Sequence, residues 1–385
     1  MTAEEYLAHG NNFRANHEPE KAIACYAQAF VLNPNYGAAY NNYGNVIREM
    51  GHPERAYGFL QNAIDIDAND ITAQFNLAVA YLLAGDLERG WKQYEKRWAY
   101  EHLNGKLPQF EQPRWEGQNI KNKTILVTGE QGYGDTIQFV RFVEHLLVDG
   151  ADVILSIEKS LAPIVKASFN TDRVKIFSPG DEITDNFDYW SPIMSLAGNL
   201  KITYDTLPYK LLYLNSSAEA NKRWGLTLGP KRKIRIGFSW SGRRDSWINQ
   251  HKSIPFEKML GLIQRNPAYD WYNLQLDCTD EEETQLSAAG VHKVRDRIAD
   301  WDDTAGILNH MDVIISVDTA VGHLAGAMGR PFWLPLNQFG QDWRWLLGRN
   351  DSPWYSSCRI FRQPKIGEWD EPLAHIENNL KLFKI

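Results

Sequence analysis

Cysteine is scarce in this chain. Cys25, Cys278 and Cys358 are scattered over 385 residues, an odd number without metal-ligand spacing. That excludes a disulfide framework and a thiolate zinc site, and it fits a reducing compartment. No apolar run approaches the roughly 18 residues of a membrane span. The opening "MTAEEYLAHG" has acids where a signal peptide needs a basic and then an apolar stretch, so a cytoplasmic protein is expected. A basic excess is missing too. Lys and Arg number 41 against 48 Asp and Glu, a net charge of −7, which argues against bare nucleic acid as the partner. What remains is an ordinary globular composition, 43% hydrophobic and 23% charged, long enough for two or three domains.

The first organised feature is a 34-residue period. Gly10, Gly44 and Ala78 share one column, as do Ala22, Ala56 and Gly90. Tyr26, Leu60 and Tyr94 form a large-residue column, and Ala29 and Ala63 a further small one. Small residues at two fixed places in a 34-residue period are the tetratricopeptide signature, in which each repeat is a helical hairpin. Three repeats are expected at about 3–36, 37–70 and 71–104, the last degenerate, giving a solenoid over 1–104. Asn11, Asn41 and Asn45 lie on the first helices as a candidate peptide groove. The alternative is that they are simply solvated, and that the repeats cap or brace the domain C-terminal to them.

Residues 105–120 lose the period and read as a connector. Strand and helix patterns then alternate. "TILVTG", "ADVILSI" and "RVKIFS" read as strands in a first half, 121–230. "IRIGFSW", "DWYNLQL", "MDVIISVD" and "PFWLPL" do so in a second, 231–385. The stretch 135–150 reads as one amphipathic helix and the tail "EPLAHIENNLKLFKI" as a final helix. Such alternation implies doubly wound parallel sheets that bind ligands at the carboxyl ends of their strands.

Four loops carry candidate chemistry. "TGEQGYGDTIQF" (128–139) has neither the Gly-Lys-Ser/Thr ending of a phosphate loop nor the glycine spacing of a dinucleotide fingerprint. Its Asp135 is either a functional carboxylate or a helix cap, and Gly132 and Gly134 either admit substrate or make the bend. "SVDTAVGHLAGAMG" (316–329) runs from a strand through Asp318, Thr319, Gly322 and His323 into a small-residue helix whose start could hold phosphate oxygens. "SWSGRRDSWINQHKSIP" (239–255) brings Arg243, Arg244, His251 and Lys252, suited to a diphosphate or merely solvated. "GQDWRWLLGRNDSPWYSS" (340–357) is dense in tryptophan, for stacking on a sugar or base or for the core.

In order, "EQGYGDTIQFVRF", "SVDTAVGHLAGAMGRPFW" and "DWRWLLGRNDSPWYSSCRIFRQ" resemble bacterial tetratricopeptide proteins with a glycosyltransferase-family-9-like (heptosyltransferase-like) domain. The resemblance covers nearly the whole chain, the "GWKQYEKRW" join included. It implies a helical solenoid followed by a GT-B pair of Rossmann-like domains, an acceptor-side one at 121–230 and a donor-nucleotide one at 231–385. It implies no cofactor and no metal, with a nucleotide-diphosphate sugar as donor. By the same resemblance Asp135 is the catalytic base facing the acceptor hydroxyl, and Lys252 contacts the donor phosphates. Asp318, Thr319, Gly322 and His323 form the donor segment. Gly132, Gly134, Gln138, Arg344 and Trp345 are candidate substrate-lining residues. Two departures are Lys-Ser at 252–253, where relatives often carry Arg-Ser, and Gly322 in place of alanine, which is expected to be harmless. The activity implied is an inverting transfer to a glycan or macromolecular acceptor, protein among the candidates, with the repeats gripping acceptor or partner. Two alternatives stay open: an inactive adaptor that binds a protein partner, and a nucleotide-sugar epimerase of GT-B fold.

Overall fold

Thr2 opens the first helix with a reciprocal cap. Its hydroxyl accepts from the Glu5 N–H, and the Glu5 carboxylate accepts from the Thr2 N–H at 2.8 Å. Six helices are built from this start: α1 (Ala3–Ala15), α2 (Pro19–Leu32), α3 (Gly37–Glu49), α4 (Pro53–Ile66), α5 (Ile71–Ala84) and α6 (Leu87–Tyr94). Pro19 and Pro53 stand in the first turns of α2 and α4, where a missing N–H costs nothing. Asp70 and Asp86 cap α5 and α6. The computed structural model describes residues 1–100, 107–208, 212–242 and 251–382. It divides into two compact units. Among the described residues no helix is long and apolar enough to cross a membrane.

The first unit comprises Met1–Pro108, Lys201–Leu207 and Gln338–Arg349. Each helix packs on its sequence neighbours, and the repeat columns are the contact points. A Cβ at Gly10 would lie 2.4 Å from the Tyr26 ring, and one at Gly44 would lie 2.9 Å from Leu60. Small and large columns therefore fit into one another, as the 34-residue period requires. The two later segments complete this unit. The Trp91 indole N–H donates to the Ile202 carbonyl at 2.9 Å. Trp343 lies edge-on to Trp91 with ring centres 5.3 Å apart, and the Gly340 N–H reaches the Glu49 carbonyl at 3.1 Å.

The second unit holds two parallel sheets. The first has the order β3-β2-β1-β4, from β1 (Thr124–Thr128), β2 (Asp152–Ser156), β3 (Val174–Phe177) and β4 (Tyr189–Pro192). Leu126 stands in register with Ile154 on one side and Trp190 on the other. The second sheet has the order β10-β9-β8-β5-β6-β7. Its strands are β5 (Arg235–Ser239), β6 (Asp270–Asn273), β7 (His292–Lys293), β8 (Val313–Ser316), β9 (Phe332–Leu336) and β10 (Cys358–Arg362). β5, β8 and β9 are buried along their whole length, as parallel strands covered on both faces must be. Ile236, Phe238, Trp271, Val313 and Ile315 form one core with Leu373, Ile376 and Leu380 of the final helix, Asp370–Leu382. This is the helical solenoid followed by the GT-B pair of Rossmann-like sheets that the resemblance implies.

In both sheets the winding reverses beside the first strand: β1 lies between β2 and β4, and β5 between β6 and β8. Ligands of doubly wound folds bind at such switch points, outside the carboxyl ends of the strands. The 128–139 stretch leaves β1 there, the 316–329 stretch leaves β8, and Trp240–Gly242 follow β5. The expected single helix at 135–150 is instead two short helices, Tyr133–Phe139 and Val143–Val148, joined by a 3₁₀ turn at Val140–Phe142.

Candidate functional site

The β1 loop meets the β8 loop inside the second unit. The helix Tyr133–Phe139 packs against the helix Ala320–Ala327. At Gly134 a Cβ would stand 2.9 Å from the His323 ring and 3.7 Å from the Ala320 backbone. The missing side chain at Gly134 thus makes room for the His323 imidazole. Asp135 sits half-buried in the first turn, and its Oδ2 accepts from the Gly132 N–H at 3.0 Å. The aspartate is therefore a helix-capping group, and that bond fixes the plane of its carboxylate. Tyr133 is exposed beside it, with its ring 5.3 Å from that of Trp301.

The β8 loop supplies the ionisable cluster. Thr319 is the N-cap residue of Ala320–Ala327, and its hydroxyl lies 2.9 Å from that of Ser316. Asp318 is buried and faces two partners. Its Oδ2 is 3.5 Å from the Lys252 Nζ, and its Oδ1 is 3.6 Å from the His323 Nε2. His323 is buried as well, and its Nδ1 lies 2.8 Å from the Tyr355 hydroxyl. One carboxylate thereby keeps a lysine and an imidazole on station at the mouth of a helix N-terminus, where partial positive charge collects. Such an arrangement can receive an anion: an ammonium and an imidazole are already gathered, and their contacts with Asp318 are long enough to exchange.

Lys252 is placed by a second set of bonds. The Gln275 Oε1 accepts from the Ser239 hydroxyl at 2.8 Å, the Ser241 N–H at 3.1 Å and the Trp240 N–H at 3.2 Å. The Ser241 hydroxyl lies 3.0 Å from that of Ser253, the neighbour of Lys252. The end of β5 and the Lys252–Ser253 step are thus stitched together. Arg243 and Arg244, read from the sequence as part of that loop, lie outside the described residues.

Gln138 is wholly buried beneath the loop. Gly322 packs into the core, where a Cβ would come 2.5 Å from the Phe332 ring, so the glycine leaves that ring its room. Arg344 and Trp345 belong to the first unit and are buried. The Arg344 guanidinium pairs with Asp342 at 3.0 Å and lies over the Trp343 ring at 4.3 Å. The asparagines of the repeats bond largely to one another. The Asn76 amide donates to Asn41 at 2.9 Å, Asn42 donates to Asn11 at 2.9 Å, and Asn45 donates to Glu49 at 3.3 Å. Asn41 and Asn45 are buried in that network. Sequence reasoning missed Tyr355 and Gln275. Tyr355 had one local sign, its place in the tryptophan-dense loop, and Gln275 had none.

No protein-family model matches the chain. The chain is 27% identical over 393 residues to Protein FlbA of Caulobacter vibrioides, an alignment covering 94% of this chain and 64% of that protein. The chain thus spans less than two thirds of that curated relative. The crystal structure of the glycosyl transferase family 9 from Veillonella parvula aligns with a TM-score of 0.52 at 12% identity, covering 69% of this chain and 97% of that one. The Escherichia coli ADP-heptose LPS heptosyltransferase II aligns at 0.49 and 13% identity, over 67% of this chain and 98% of that one. The chain joins repeats of tetratricopeptide type to an α/β unit with the fold of glycosyl transferase family 9.

Proposed function

We propose that this protein is an inverting glycosyltransferase that moves a sugar from a nucleotide diphosphate to an acceptor hydroxyl. The observation that carries the reading is the meeting of the β1 loop, bearing Asp135, with the Asp318–His323–Lys252 cluster at the start of the Ala320–Ala327 helix. As the bond to the anomeric carbon breaks, negative charge grows on the leaving diphosphate. Lys252, the His323 imidazole and the backbone N–H groups after Thr319 stabilise it, a role that metal ions fill in other transferases. Asp135 takes the proton of the attacking hydroxyl, a task worth about 10²–10⁴-fold in rate. The donor is a nucleotide-diphosphate sugar, the acceptor a glycan or macromolecule, and the repeats engage acceptor or partner.

The test begins with thermal melts in ADP, UDP and their sugar conjugates, with and without EDTA. A ligand at 100 times its Kd adds about 2.7 kcal/mol of apparent stability. An EDTA-insensitive shift is expected. Asp135→Asn should then keep that shift while transfer drops at least about 100-fold, and Lys252→Ala should weaken the shift itself. Transfer by Asp135→Asn at the wild-type rate would remove the base. An intact but altered nucleotide sugar as product would replace transfer by epimerisation, and the absence of any shift would favour an adaptor.

A further inference from the structure

His323 is held on its far side by a residue distant in the chain. Tyr355 is buried to 1% exposure, and its ring lies so close to Gly326 that a Cβ there would stand 2.4 Å from it. The ring is packed directly on the Ala320–Ala327 helix. Behind it Arg141, itself 3% exposed, holds its guanidinium over the rings of Tyr213, Tyr355 and Trp354 at 4.4, 5.2 and 5.6 Å. Its Nη2 donates to the Trp354 carbonyl at 3.0 Å. This buried cation is placed by aromatic faces and one carbonyl, a setting that rigidifies the "WY" step.

The two ring nitrogens of His323 therefore meet different partners. The Nε2 faces the Asp318 carboxylate at 3.6 Å, and the Nδ1 faces the Tyr355 hydroxyl at 2.8 Å. An N–H belongs on the side of the carboxylate, since the opposite choice would set a lone pair against negative charge. Nδ1 is then the acceptor and the phenol donates to it.

We infer that Tyr355 is a positioning residue that locks His323 in the Nε2–H form, so that the imidazole presents a donor to an oxygen of the nucleotide diphosphate. This role rests on the donor-site reading above, whereas the proton position does not. A phenol that donates to Nδ1 keeps the ring orientation while the Nε2–H exchanges Asp318 for the incoming phosphate.

Full-length protein labelled with ¹⁵N-histidine gives the first readout, with His323→Asn assigning the resonance. A pyridine-type Nδ1 and a protonated Nε2 are expected without any ligand. Tyr355→Phe keeps the ring and removes only the hydroxyl. Calorimetry with ADP and UDP should then show a Kd weakened about five-fold, the worth of one neutral hydrogen bond. In a His323→Asn background the same change should have no further effect, because Tyr355 acts through His323. A protonated Nδ1 in the wild type overturns the inference. So does an unchanged Kd, or a further loss from Tyr355→Phe in the His323→Asn background as large as the loss it causes in the wild type. If the wild type binds neither ADP nor UDP while the ¹⁵N pattern is as expected, the donor-site reading fails and the proton assignment stands.

Discussion

Substituting Gly134 by alanine tests the meeting of the two loops directly. The new methyl would stand 2.9 Å from the His323 Cδ2 and 3.6 Å from its Nε2. Carbon atoms prefer about 3.5–4.0 Å, so ring or helix must yield by about 0.6–1 Å. The imidazole has little freedom, being buried and bonded to Tyr355. Overpacking of this kind costs about 1–3 kcal/mol. Against it stands a gain of about 0.5–1 kcal/mol, since Gly134 lies inside the Tyr133–Phe139 helix, where alanine is the better residue. The net change is a loss of about 0–2.5 kcal/mol, or a few °C in Tm. The functional effect should be larger than the structural one. A displacement of about 1 Å at a reacting group costs up to about 100-fold, and nucleotide-diphosphate affinity should fall with it. Gly132→Ala is the internal control: it lies in the same loop, has a φ of −106°, and its Cβ would meet only the Asp135 Oδ2 at 3.4 Å. The assay is a thermal melt followed by calorimetry with ADP and UDP on both variants. If Gly134→Ala melts no lower than Gly132→Ala and binds as tightly, the approach of the two helices is not the constraint described here.

Packing and charge set two more outcomes. Gly322→Ala should lower Tm, because its methyl meets the fully buried Phe332 ring at 2.5 Å, whereas Gly58→Ala, with open space around it in α4, should raise Tm slightly. Burial pushes the Asp303 carboxyl up, but the Ala299 N–H, the Arg223 guanidinium and the Trp224 indole N–H together hold it below the usual carboxylate range. A depressed carboxyl contributes stability above its unfolded value, and that contribution is lost as pH falls through the folded value. Asp303→Asn should therefore melt lower than wild type at pH 7, and the gap should narrow as melts are taken from about pH 5 down to pH 2.

The repeats and most strands were legible because their signals are local. Columns 34 residues apart, buried apolar runs and a helical tail each need only a short window. Of the three strands that escaped notice, β10 was passed over after the tryptophan-dense stretch although Cys358, Ile360 and Phe361 are buried, and the other two carry little signal of their own. β4 is four residues ending in proline, and β7 is two exposed residues. The helix Ala218–Leu228 buries only Ala220 and Trp224, too few for a period, and is held instead by the helix Trp301–Leu308 through Trp224 and Asp303. The break at Val140–Phe142 has no proline or glycine to announce it. In the site, Asp135, Lys252, Asp318 and His323 stood in recognisable loops. Tyr355 lies 32 positions from His323, and a hydrogen bond across that distance leaves no mark in either loop.

The two late segments of the first unit have a consequence for how the chain is made. The repeats emerge early, yet Trp91 and Tyr94 find Trp343 only when the Gln338–Arg349 segment exists, about 230 residues after Pro108. At roughly 5–20 residues per second, translation leaves that surface waiting on the order of 12–46 s. The repeats are thus made well before the segment that completes their unit. During that interval the Trp91 and Tyr94 rings lack the Trp343 face they meet in the finished unit.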